Sequence, residues 1–227
     1  ADNPSLRSDI TEMDKKTNQE LIMAAGINPP PMTTFARERR LLEIQLLESL
    51  HSQDDSIDRL WSIWYNERGP LAAQDLYAAH DLMDKRLWDQ AEGRLRALIN
   101  EHGRHWPEPI NALATLKFMQ GHLAESRELC EMVLQEKPWH FGALSGIVMV
   151  CAGLEDITSA RTWAARRLPP IQPTGSNRRR TEWVERALHD ARDALQKADD
   201  WLVSYYGKPD QQQPKRYGPT FDVDAWQ

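Results

Sequence analysis

"GHLAESRELCEMVLQEKP", residues 121–138, decides how the rest of the chain is read. Apolar residues recur every third or fourth position between Gly121 and Pro138, the pattern of one amphipathic helix with a chain-breaking residue at each end. Fewer than four turns cannot bury their own apolar side. A helix this short is held by tertiary packing rather than by propensity, so it needs neighbours.

The neighbours are copies of the same text. "LWDQAEGRLRALI" (87–99), "LAESRELCEMVL" (123–134) and "ITSARTWAARRL" (157–168) align so that Ala91, Ser126 and Ala160 fall 35 and 34 residues apart. Trp88, Leu123 and Ile157, one turn earlier, keep that spacing, as do Leu95, Cys130 and Ala164 one turn later. Three columns on one period near 34 mean stacked helix pairs.

This pattern resembles the tetratricopeptide repeat (TPR). That motif carries a small residue midway along its first helix, Gly at the inter-helix turn, a small residue early in the second helix and Pro at the end. Residues 107–140 match best, with Ile110, Leu113, Ala114, Gly121, Ser126, Cys130, Val133 and Pro138. The first repeat, from 72 to about 105, has Ala79, Leu82, Trp88 and Ala91 but Arg86 in place of the turn glycine and Gly103 in place of proline. The second has Lys117 where an aromatic is common. The third (141–170) reads as having a displaced turn: Gly146 and Gly153 keep the family's mutual spacing, Ala160 comes two residues late, and the first-helix register is ambiguous by two. The stretches "LWSIWYNERGP" (60–70) and "KPWHFGALSG" (137–146) are similar to those of small bacterial-type repeat proteins, some carried in organelles.

The resemblance implies an all-α, TPR-like α-solenoid of about three helix pairs over 70–170, flanked on both sides. Residues 1–32 are a polar extension ending in "NPPP", with a short helix expected over 12–25. Residues 33–69 hold two helices (33–52 and 56–69), expected to form a divergent pair ahead of the repeats. Residues 171–207 contain one long helix from 180, with Thr181 or Asn177 as N-cap and Gly207 as stop, expected to cap the last repeat. Residues 208–227 form an extended tail rich in Pro and Gln, read either as a frayed end or as a docking peptide through Phe221 and Trp226.

Composition narrows the function class. The net charge is -6, spread along 227 residues, which argues against a nucleic-acid binder. The "RRR" run at 178–180 reads as a solvated helix start or as a site for phosphate or an acidic partner. The longest uncharged apolar run, residues 139–154, falls short of the ~20 residues that span a bilayer. Cys130 and Cys151 lie at packing positions and read as buried free thiols, although an oxidising compartment would allow one bridge. His102 and His105 in "HGRH" lack a neighbouring Cys or carboxylate cluster, so a turn role outweighs a zinc site. No Walker, Rossmann or nucleophile-elbow pattern occurs, and no catalytic residue, cofactor or metal is expected.

The family's geometry assigns a binding face to the first helix of each pair. It implies Ala73, Leu76, His80, Met83 and Asp84 in the first repeat and Glu108, Asn111, Thr115, Phe118 and Met119 in the second. Apolar residues such as Met83, Phe118 and Met119 on a wet face would mark a protein site. The alternative is that the N-terminal segment or the long C-terminal helix fills that groove. The Lys, Asn and Arg of a chaperone-tail clamp are missing except for Asn111. The expected function is a non-catalytic protein-interaction scaffold, a peripheral subunit of a larger complex such as an organellar membrane, photosynthetic or respiratory one. A free assembly factor or chaperone-like adaptor is the alternative, and an enzyme a distant one. The start "ADNPS" reads as a processed N-terminus, although a trimmed chain would look the same. With the organellar resemblance it suggests a plastid, including the thylakoid lumen, ahead of a mitochondrion or bacterial periplasm.

Overall fold

The computed structural model describes residues 34–206 except Thr174, with no side-chain description for 34–36 or 201–206. The helix expected over 12–25, the Gly207 stop and the tail residues Phe221 and Trp226 lie outside the described residues. Nine helices and no strand occur among the described residues: α1 Thr34–Ser49, α2 Ser56–Tyr65, α3 Pro70–Asp84, α4 Trp88–His102, α5 Pro107–Met119, α6 Leu123–Glu136, α7 Phe141–Gly153, α8 Ile157–Ala164 and α9 Arg178–Tyr206. The chain is all-α.

From α3 to α8 each helix packs on the next, and α5 also touches α3 and α7. The alternate helices α3, α5 and α7 therefore share a face. Of the three columns that set the sequence period, one is buried throughout, at Ala91, Ser126 and Ala160; the other two end on exposed residues, Ile157 (51% exposed) and Ala164. Ser126 keeps its hydroxyl satisfied there by donating to the Ala114 carbonyl at 2.7 Å. Lys117 is also buried. Its Nζ lies 3.0 Å from Glu92 and 3.2 Å from Glu125, tying α5 to both α4 and α6.

The backbone repeats as well. Arg86, Gly121 and Glu155 all have positive φ (58°, 81° and 60°). In each case the next N–H reaches back five residues: Leu87 to Leu82, His122 to Lys117 and Asp156 to Cys151, each at 2.9 Å. This is the left-handed turn that closes a helix. The third turn is therefore not displaced. Its left-handed position is Glu155 rather than Gly153, and Ala160 keeps the same offset from it that Ser126 has from Gly121. The sequence misleads because a glutamate stands where glycine is favoured. Glu155 is exposed, so Glu155→Gly relieves the strained φ without removing a packed side chain. It should raise stability by about 0.5–1 kcal/mol, measurable as a higher midpoint in urea.

Two flanking elements depart from expectation. The α1–α2 hairpin does not continue the stack ahead of α3. Instead α2 lies against α5, and α1 packs along α9. Likewise α9 does more than cap the last pair. Trp183 near its start stacks on Phe141 and donates to the Arg166 carbonyl at 2.8 Å, while the helix body runs along α1. Arg180 joins these layers. Its guanidinium is buried and donates to the carbonyls of Leu50 and Pro169 and to the Asp54 carboxylate. That member of the "RRR" run is neither solvated nor open to an anion, because its donors are taken within the chain. Asn177 takes the N-cap position, with Thr181 N–H bonded to its carbonyl.

Candidate functional site

The α2 sequence "DRLWSIWY" (58–65) places Leu60, Ile63 and Trp64 on its buried side and Trp61 and Tyr65 beside them. Trp64 is fully buried and stacks on His140 at 4.8 Å; Trp61 meets the same imidazole edge-on at 5.4 Å. The stretches 60–70 and 137–146 thus pack against each other. His140 is fixed from both ends. Its Nδ1 accepts the Ala143 N–H at 3.0 Å, capping α7, so Nε2 is the nitrogen that bears hydrogen toward the Glu108 carboxylate at 2.8 Å.

Beneath these rings lies a buried network of charges. Glu43 of α1 accepts the indole N–H of Trp64 at 2.6 Å and of Trp139 at 2.8 Å, and lies 3.2 Å from Arg40 and 3.5 Å from Lys137. Lys137 reaches Glu67 at 3.1 Å and sits over the Trp64 ring at 4.8 Å. Burial alone would push the Glu43 carboxyl up, but Lys137, Arg40 and the two indole donors hold it below the usual glutamate range. Burial likewise opposes the charge on Arg40, and Glu43, Glu67 and Glu136 outweigh it. The network joins the α1–α2 hairpin to the 137–140 loop. Its charges neutralise one another, so its role is structural.

What α2 leaves open is a cleft of about 440 Å³ against α3, lined by Asp58, Trp61, Ser62, Tyr65, Tyr77 and His80. Tyr65 and His80 stack at 5.6 Å and share a hydrogen bond of 2.9 Å; Tyr77 lies 5.2 Å from Tyr65 and is 51% exposed. Burial, then the Glu108 carboxylate, pushes the Tyr65 hydroxyl up to about 12. Burial lowers His80, against the opposing pull of Glu108, Asp84 and Asp81. The cleft wall is thus aromatic, and the charges bearing on His80 are all negative.

Of the residues assigned to a wet face, only some are wet. Met83 is 4% exposed and belongs to the core with Leu76, and Ala73 and Glu108 are buried as well. His80 enters the cleft. Asn111 is half-buried, with its amide near the start of α7; Thr115 is exposed and donates to the Asn111 carbonyl. Phe118 is half-buried and Met119 is 52% exposed at the end of α5. The structure does not bring Phe118 and Met119 into the cleft lining. Asp58, Trp61, Tyr65 and Tyr77 escaped the sequence reading. The available signal was an aromatic surplus: "WSIWY" carries more rings than one buried stripe of a ten-residue helix can use.

Cys130 and Cys151 are free and buried, and burial pushes the Cys130 thiol up to about 12. His105 Nδ1 pairs with Glu136 at 2.8 Å while His102 meets Trp106 edge-on, so the two imidazoles of "HGRH" serve different neighbours. Among the described residues no group of three or more His, Cys, Asp or Glu is placed to hold a metal ion, and no helix is long and apolar enough to cross a membrane. Comparison with family models, curated proteins and solved structures returns no match.

Proposed function

We propose that this chain is a non-catalytic protein-interaction scaffold: a TPR-like solenoid of about three helix pairs whose shared inner face is closed by its own α1–α2 hairpin. The observation that carries this reading is the recurrence of one left-handed turn at Arg86, Gly121 and Glu155, joined to helix pairs that pack in succession. Such arrays present long rigid surfaces to other proteins, and their function resides in the residues left exposed.

The hairpin favours a stoichiometric subunit over a transient assembly factor. A client entering the shared face would have to displace Trp64 and break the Glu43–Lys137–Glu67 network, whereas a partner docked on the rim leaves both intact. Rim residues with apolar exposure, Met119 and Tyr77 among them, supply the contact area.

The test is affinity purification from the native source, followed by the double variant Phe118→Glu, Met119→Lys. Stable co-purification in fixed proportion, reduced at least tenfold in the variant with helical content unchanged, is the expected result. Full capture by the variant means that the partner does not dock at the end of α5. Absence of any stable partner overturns the subunit reading.

A further inference from the structure

The cleft between α2 and α3 has a composition that the closure of the shared face does not require. Three of its walls are rings that are incompletely buried, Trp61, Tyr65 and Tyr77, arranged so that Tyr65 contacts the other two at 6.4 Å and 5.2 Å. At the α2 side stands Asp58, exposed and in no ion pair with any described residue. Ser62 adds a hydroxyl, and His80 is tied to Tyr65. Asp81 and Asp84, exposed on α3, add their field to that of Glu108 at His80. The volume, about 440 Å³, lies within the ~300–1,000 Å³ of ligand-taking clefts.

Aromatic faces beside a carboxylate that no described residue pairs attract cations: the ring quadrupole presents negative charge to a cation over its face, and the carboxylate accepts its hydrogen bonds. Among biological cations a guanidinium suits this wall best. It is planar, so it stacks on a ring such as Tyr77 while its N–H groups point sideways to an acceptor. It is also more weakly hydrated than an ammonium, so it loses less on entering a half-open cleft. A free cation would leave most of the volume empty, whereas a side chain with its flanking backbone fills it. We propose that this cleft takes an arginine side chain carried on an extended segment of a partner protein. The assignment rests on the scaffold reading above and names the chemistry that the partner presents.

The probe is the peptide acetyl-GGSRSGG-amide, titrated into the full chain and followed by amide resonances of 58–65 and 77–80. Saturable shifts confined to those residues are expected. They should weaken at least tenfold when citrulline replaces the arginine, since citrulline keeps the shape and loses the charge, and vanish when glutamate replaces it. Asp58→Asn and Tyr77→Ala in the protein should each weaken the arginine peptide at least fivefold, because one removes the acceptor charge and the other the stacking face. Equal binding of the citrulline peptide, or shifts centred elsewhere, overturns the proposal. Tighter peptide binding by the full chain carrying Lys215→Gln and Arg216→Gln would mean that the chain's own tail occupies the cleft, and overturns it as well. If the native partner is captured undiminished by the Asp58 and Tyr77 variants but lost by the Phe118 and Met119 variant, the scaffold reading stands and the arginine assignment falls.

Discussion

Glu43→Ala is expected to cost about 3–5 kcal/mol, the range for removing one partner of a buried ion cluster and leaving the others uncompensated. Glu43 is 2% exposed and collects two indole N–H donors and two cations, from α1, α2 and the 137–140 loop. Without it Arg40 and Lys137 face each other with Glu67 alone between them, and two buried indoles lose their acceptor. Urea denaturation at pH 7 measures the loss. The pH dependence has a definite sign. The Glu43 carboxyl is held below its ordinary value of 4.5, as are those of Glu92 and Glu136. Each binds fewer protons folded than unfolded near that value, so each contributes stability that is full above about pH 4.5 and is lost as pH falls through the folded-state value. The wild-type chain should therefore lose stability steeply on acidification below pH 4.5. Glu43→Gln, which keeps an acceptor oxygen for the indoles, should be less stable at pH 7 and show a shallower acid slope. An acid slope unchanged in Glu43→Gln would show that the network does not bear on stability.

That network also shows where the sequence ceases to be legible. Ala91, Ser126 and Ala160 announce the helix pairs because the constraint is local and periodic: close helix approach demands a small residue at each turn of the array. The hairpin that roofs the shared face obeys no period. Its decisive contacts join Glu43 to Trp139 and Glu67 to Lys137 across 96 and 70 residues. In the sequence each charge resembles an ordinary solvated residue, and only the pairing makes it a core residue. Arg180 is misread for the same reason, since its acceptors are carbonyls at Leu50 and Pro169 that no pattern advertises. Glu155 is a different failure. It adopts a glycine's backbone, and residue identity gives no sign of it. The candidate site inherits these limits: His80 is found because it lies on a repeating helix, whereas Trp61 and Asp58 belong to the element that repeats nothing.

Seating α2 on the array depends on an atom that Gly142 lacks. A Cβ there would lie 2.7 Å from the Trp61 ring, 3.1 Å from the Asn111 amide and 3.2 Å from the His140 ring. Two of these neighbours are held by contacts of their own. Trp61 is braced edge-on by Trp64 at 5.2 Å, and His140 is bonded at both nitrogens. Gly142→Leu should therefore destabilise by about 3 kcal/mol, the upper end for overpacking a tight contact. Gly142→Ala should destabilise less, because alanine recovers up to about 1 kcal/mol of helix propensity at the same position. The control is Gly93→Ala in α4, where an added Cβ meets nothing within 4 Å. There only the propensity acts, and the chain should gain about 0.5–1 kcal/mol. The two glycines thus carry opposite signs for one chemical change, which separates packing from backbone entropy. Because Trp61 is also a wall of the cleft, Gly142→Leu should change the cleft-facing tryptophan's fluorescence while far-ultraviolet dichroism at low temperature stays that of a helical chain. A Gly142→Leu protein that melts and fluoresces like wild type would mean that α2 does not rest on α7.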